Sequence, residues 1–204
     1  DNVDTLRIKA SLTIIETKLH EILSALAQQI ETYADFPCMG YTHLQPAEPT
    51  TLGYRFALYA QDLLEDVTFL QFVKTQLKAK GFKGAVGTQA SYVALLGKEK
   101  AQVMEEKLMK KLELEPALIA NQVGPRKADM FVAQLLTSIA QSLNKFAFDV
   151  RIMQSAGFGE WQEPFAAKQV GSSAMPFKRN PIKSEQICSL ARYITNLAAN
   201  AKDN

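Results

Sequence analysis

Val132-Ala133-Gln134-Leu135-Leu136-Thr137-Ser138-Ile139-Ala140-Gln141-Ser142-Leu143-Asn144-Lys145-Phe146-Ala147-Phe148-Asp149-Val150-Arg151-Ile152-Met153 is the stretch that decides the fold. Large apolar residues return at Val132, Leu136, Ile139, Leu143, Phe146, Val150 and Met153. Those three- and four-residue steps are the spacing of a helix with one face turned from water. The same stripe runs through Leu12, Ile15, Leu19, Ile22, Leu26, Ile30 and Tyr33. It runs again through Leu52, Phe56, Tyr59, Leu63, Val67, Leu70, Val73 and Leu77, and lastly through Ile187, Leu190, Ile194 and Leu197. Three of these runs reach about 25–30 residues, against a globular mean of roughly 11–12. Near-heptad seams of that length predict an all-α fold, a bundle of long helices that packs against other subunits. Ser91 to Leu114 reads as one or two shorter helices with Lys and Glu on the wet face, and no stretch reads convincingly as a strand.

The connections carry the non-periodic sequence. Asp35 to Pro49 holds three prolines and Gly40. Lys80 to Gln89 holds Gly81, Gly84 and Gly87, and Ala120 to Arg126 holds Gly124 and Pro125. Ala156 to Asn180 is interrupted at Gly157, Gly159, Pro164, Gly171 and Pro176. At about 25 residues, that loop is longer than compact domains hold without a functional reason.

The chain has 204 residues, 47% of them apolar, with a net charge of only +2. That is enough for a sizeable core and argues against a nucleic-acid surface. No apolar run approaches the ~20 residues needed to span a bilayer. The start, Asp1-Asn2-Val3-Asp4, is polar, unlike a signal peptide. It lacks a Met and opens almost directly on a helical pattern, so the expectation is a piece of something longer. Cys38 and Cys188 show no metal or redox spacing, which suits a reduced, cytoplasmic setting. Neither a metal nor a cofactor is expected.

Chemistry concentrates in Gly171-Ser172-Ser173-Ala174-Met175-Pro176-Phe177-Lys178-Arg179-Asn180-Pro181. It reads as a mobile loop, free to flex at Gly171, feeding the N-terminus of the last helix. Lys178, Arg179 and Lys183 add cations where the helix dipole is already positive, so an anion is expected there. A Ser hydroxyl is a poor base unless cations and amides stabilise its alkoxide away from water; Ser172 and Ser173 are both candidates. Asn180-Pro181 has a plain structural explanation as helix cap and first helical residue. Glu185, on the first turns of the same helix, either orients a His or Lys or is a surface carboxylate.

Only two histidines exist. His20 lies among charges on the first stripe and reads as surface. His43 lies in the irregular stretch Gly40-Tyr41-Thr42-His43-Leu44-Gln45-Pro46, where it suits a general acid or a simple backbone contact. Thr42 either donates to a ligand carboxylate or satisfies its own turn. Pro49-Thr50-Thr51 reads as a helix start with a Thr cap. Gly84-Ala85-Val86-Gly87-Thr88-Gln89-Ala90-Ser91 fits no common phosphate loop. It is either a close-packed helix connection or a site where amides and Gln89 hold a polar ligand.

Taken together, Thr42-His43, Gly87-Thr88-Gln89 and the stretch Gly171 to Pro181 resemble the fumarase/aspartase superfamily, over nearly the whole chain. The wider blocks Gly40 to Ala47, Lys83-Gly84 with Gly87 to Ser91, and Ser173 to Pro176 with Lys178 to Pro181 look most like its adenylosuccinate lyase branch. The resemblance implies that residues 1–204 form the central helical bundle domain, the core of a homotetramer whose sites combine several subunits. It implies anti β-elimination of fumarate from a purine nucleotide, either adenylosuccinate or the succinylaminoimidazole carboxamide ribotide. By that resemblance Ser172 is the base and His43 the acid. Thr42, Gln89, Lys178, Asn180, Glu185 and Arg126 belong to substrate binding, and Gln186 stands where some relatives carry an Arg near the substrate. Other superfamily lyases, such as argininosuccinate lyase, and a non-catalytic helical scaffold are the competing readings. The scaffold leaves Ser172, Lys178 and His43 unexplained.

Overall fold

A computed structural model describes residues 1–166 and 168–202. Its elements are α1 (Asn2–Thr32), β1 (Pro37–Thr42), β2 (Gln45–Thr51), α2 (Leu52–Gln76), α3 (Ala90–Leu96), α4 (Lys98–Lys111), α5 (Lys127–Met153) and α6 (Ile182–Ala199), ending in a short 3-10 turn (Asn200–Lys202). The four apolar stripes are four of these helices, and the stretch Ser91 to Leu114 holds α3 and α4, divided at Gly97. No helix among the described residues is long and apolar enough to cross a membrane.

The expectation of no strand is corrected. Within the connection from Asp35 to Pro49, β1 and β2 pair as an antiparallel ribbon, Pro37 opposite Thr51 and Thr42 opposite Gln45, with an irregularity at Gly40/Tyr41. Three prolines hide this ribbon from a periodicity reading. In a two-stranded ribbon each strand is an edge, so a residue without an N–H is tolerated. The Thr cap is present: Thr51 Oγ1 accepts the Tyr54 amide at 3.2 Å, as a cap hydroxyl does for the third helical residue.

The described residues divide into two compact units, residues 1–25 with 64–135, and residues 26–63 with 136–202. In the first, Leu12, Leu19, Leu70, Val73 and Leu135 are buried. A smaller cluster of Ala79, Met109 and Leu114 is joined by Leu6, Phe82 and Leu112. Burial at Leu12 and Leu19 is a seven-residue repeat, the seam expected of a long bundle helix.

In the second unit, Leu26, Tyr59, Ala60, Leu63, Ile139, Ala140, Ala147 and Met153 are buried. Aromatic rings surround them: Phe56 stacks on Trp161 at 5.7 Å, and Tyr59 meets Phe146 edge-on at 5.0 Å. The last helix departs from its stripe. Its buried residues are Ser184, Cys188, Ala191 and Ala198, whereas Leu190 is 60% and Tyr193 62% exposed. Small residues bring α6 close to its own unit and leave the larger side chains outward.

Gly53 sets the hairpin's exit. Its amide donates to the Tyr33 carbonyl at 2.8 Å, and a Cβ there would stand 2.6 Å from the Ile30 carbonyl oxygen. Gly53→Ala should therefore destabilise the protein by about 1–3 kcal/mol through overpacking. Leu70→Ala, at a fully buried position, should cost about 2–5 kcal/mol through a cavity. Urea unfolding of the two variants checks both values.

Candidate functional site

His43 and Leu44 form the two-residue turn of the hairpin, with φ of 52° and 61°. Two successive left-handed residues give a turn whose twist matches the flanking strands, but glycine or asparagine usually occupies it. A leucine there is strained, and such strain concentrates where a side chain must be presented in one direction. The turn holds His43 out in solvent.

The ribbon beneath it is clamped. Tyr41 Oη donates to Glu160 Oε1 at 2.6 Å, and Arg55 Nη1 reaches Glu160 Oε2 at 2.6 Å. The Arg55 guanidinium also lies 4.8 Å over the Trp161 ring. Burial pushes the Glu160 carboxyl up, but the bonds from Tyr41 and Arg55 outweigh it and hold the group below its ordinary range. Burial, followed by the 2.7 Å bond to Asp149, pushes the Tyr59 hydroxyl strongly up. Tyr59 therefore stays a neutral donor. Tyr41, Arg55, Tyr59 and Asp149 line an open cavity of about 740 Å3, together with Thr42, His43 and others. Of the residues expected from sequence to act together, Thr42 and His43 line it. Ser172, Lys178, Asn180, Glu185 and Gln186 do not.

Those residues sit on the segment entering α6. Ser172 Oγ accepts two backbone amides, from Ala174 at 3.3 Å and from Met175 at 3.2 Å. The pair of N–H groups supplies part of the field an alkoxide needs. Ser172 is half-buried, while Ser173 and Lys178 are exposed. Glu185 and Gln186 are exposed on the first turns of α6.

Gly171 is a point of close approach: a Cβ on it would overlap the Lys178 carbonyl oxygen. Two expectations for this segment are corrected. Asn180 does not cap α6; its Nδ2 donates to the Gly171 carbonyl at 3.3 Å, and Pro181 occupies the cap position without a side-chain bond. The helix N-terminus is not free for a ligand anion. Glu163 fills it, accepting the Lys183 amide at 3.1 Å, the Ser184 amide at 2.7 Å and the Ser184 hydroxyl at 2.6 Å. Burial raises the Glu163 carboxyl, and the Ser184 and Lys183 donors outweigh it, so it too is held below its ordinary range. No local spacing in the sequence marks this partner, 20 residues before the amide it caps.

In the first unit, Gln89 opens α3 in a left-handed conformation, φ 56°. Its Nε2 donates to the Phe82 carbonyl at 3.0 Å and to Glu105 Oε2 at 2.8 Å. Glu105 is buried, against the expectation of a wet Lys/Glu face, because it also takes the Phe82 amide at 2.7 Å and pairs with Lys83 at 2.8 Å. Both amide protons of Gln89 are thereby spent on closing the glycine-rich loop. Arg126 is exposed, 3.5 Å from Asp129. His20 is exposed on α1, as expected.

The chain matches the Lyase family over residues 1–195. An adenylosuccinate lyase from Schistosoma mansoni is 40% identical over 202 residues, 97% of this chain and 42% of its own length. One from Archaeoglobus fulgidus is 42% identical over 194 residues, 95% of this chain and 43% of its own length. The chain thus spans less than half the length of the curated relatives it matches. Among solved structures, a fumarate lyase from Mesorhizobium sp. BNC1 superposes with a TM-score of 0.81 at 28% identity, covering 98% of this chain and 42% of that one. The 3-carboxy-cis,cis-muconate lactonizing enzyme from Pseudomonas putida gives 0.83 at 32%, covering 96% and 42%. The long-helix fold and the match across residues 1–195 agree, and the chain belongs to the Lyase family, within the fumarase/aspartase superfamily.

Proposed function

We propose that this chain supplies the central bundle of an adenylosuccinate lyase. The reaction is anti β-elimination of fumarate from adenylosuccinate, leaving AMP, and from the succinylaminoimidazole carboxamide ribotide. The observation that carries the reading is the loop in which two backbone amides converge on Ser172 Oγ, beside Lys178 and Asn180. The names of the relatives support the substrate class.

The chemistry follows from the groups present. Ser172, as alkoxide, takes the Cβ proton of the succinyl group. The electron pair left on carbon forms the double bond of fumarate as the C–N bond breaks, and His43 gives a proton to the departing nitrogen. Charge accumulates on the carboxylate next to Cβ, where Lys178 and Asn180 stabilise it. Thr42 adds a hydroxyl beside His43. Gln89, with its N–H groups engaged, offers its carbonyl oxygen and so reads a donor on the ligand. Glu185, Gln186 and Arg126 are assigned to the same substrate envelope.

Ser172 and His43 stand on separate loops, and the cavity at His43 does not include Ser172. A homotetramer that joins the loops of different subunits accounts for this, and the outward Leu190, Tyr193 and Leu197 of α6 supply apolar surface for it. Two free thiols, Cys38 and Cys188, suit a reducing cytoplasm.

In the whole protein, Ser172→Ala and His43→Ala should each lower kcat for fumarate release by about 10²–10⁴-fold, with thermal stability unchanged. Retention of full turnover by either variant removes its residue from the mechanism. Adenylosuccinate should turn over and argininosuccinate should not; the reverse preference selects another superfamily lyase. Leu190→Glu, measured by sedimentation, should shift the assembly to smaller species.

A further inference from the structure

We propose that Gln154 and Glu163 form a clasp that positions Lys178 and Asn180, making both of them positioning residues of the elimination. The inference rests on the lyase reading given above. Gln154 follows the last residue of α5 and uses both ends of its amide. Its Oε1 accepts the Glu163 backbone amide at 2.9 Å, and its Nε2 donates to the Arg179 carbonyl at 3.0 Å. Glu163 continues the chain of contacts onto the Lys183 and Ser184 amides of α6. The end of α5, the middle of the long connection and the first turn of α6 are therefore joined through two side chains.

Lys178 and Asn180 lie inside this frame. The Arg179 carbonyl between them is the one Gln154 holds. The Arg179 guanidinium lies 5.2 Å from the Phe165 ring, two residues beyond Glu163. Asn180 closes onto the Gly171 carbonyl, and Gly171 lies against the Lys178 carbonyl. The base of the catalytic segment is thus held at several points, while its tip is open: Phe177 is 82% exposed. Neither Gln154 nor Glu163 belongs to the buried core. What the clasp constrains is where the backbone of residues 178–180 stands, and small displacements of groups that face a developing charge are costly, about 10²-fold for 1 Å.

The test uses the whole protein with adenylosuccinate, and compares Gln154→Ala, Glu163→Ala and Glu163→Gln, each alone and with Lys178→Ala. Gln154→Ala and Glu163→Ala should lower kcat about 10–100-fold while circular dichroism stays unchanged. Glu163→Gln keeps an acceptor oxygen and should recover part of the loss. On the Lys178→Ala background each clasp variant should cost less than it does alone, because one of the groups it positions is already absent. Unchanged kcat in both single variants, or the same fractional loss with and without Lys178, overturns the clasp. Should the unsubstituted protein release no fumarate from adenylosuccinate, it is the lyase reading that fails; if it does release fumarate and the clasp variants match its rate, the clasp alone fails.

Discussion

The carboxylate of Glu163 on the first amides of α6 is the contact on which the segment from Gly171 to Pro181 depends. A helix N-terminus leaves unpaired N–H groups and the positive end of the helix dipole, and both call for an anion. Lys178, Arg179 and Lys183 intensify that demand. The chain meets it internally, at 2.7 Å to the Ser184 amide. With the helix end satisfied, the segment before it has a fixed point of departure. Any further negative charge near the segment is then left to side chains rather than to the dipole.

The hairpin is held on the same plan. Arg55 and Tyr41 converge on Glu160, and the strained turn at His43-Leu44 projects from that clamp. In both places a carboxylate between Gly159 and Pro164 ties a connection to a helix: Glu160 to α2, Glu163 to α6. The proton-handling candidates, His43 and Ser172, sit on loops whose bases are anchored and whose tips are open. Anchored bases with exposed tips set each of the two groups independently of the other.

Much of the architecture was legible because long amphipathic helices declare themselves by periodicity, and the stripes through Leu12, Leu70 and Ile139 lie in the buried faces. The hairpin was hidden by Pro37, Pro46 and Pro49, which suppress every strand signal and are harmless only because the ribbon has no inner strand. The α6 stripe misled about its inward face: Cys188 and Ala191 are buried while Leu190 points out, and periodicity alone does not say which side has a neighbour. At the site, the residue types were readable and their partners were not. Ser172 and His43 stand out as reactive groups in loops. Glu105, Glu160 and Glu163 look like ordinary surface carboxylates until folding brings distant donors to them. Asn180 looked like a cap because it precedes Pro181 at a helix start; the helix took its cap from 20 residues upstream instead.

The most direct measurement is the NMR titration of the Glu163 carboxyl carbon. Its folded value is depressed by the α6 donors, so the contact is complete above the ordinary glutamate pKa of about 4.3 and is lost as pH falls through the lower folded value. The account predicts a midpoint below about 4.3, with the Ser184 amide shifting over the same pH range. A midpoint at or above that value, or a Ser184 amide indifferent to it, would contradict the claim that Glu163 occupies the helix end.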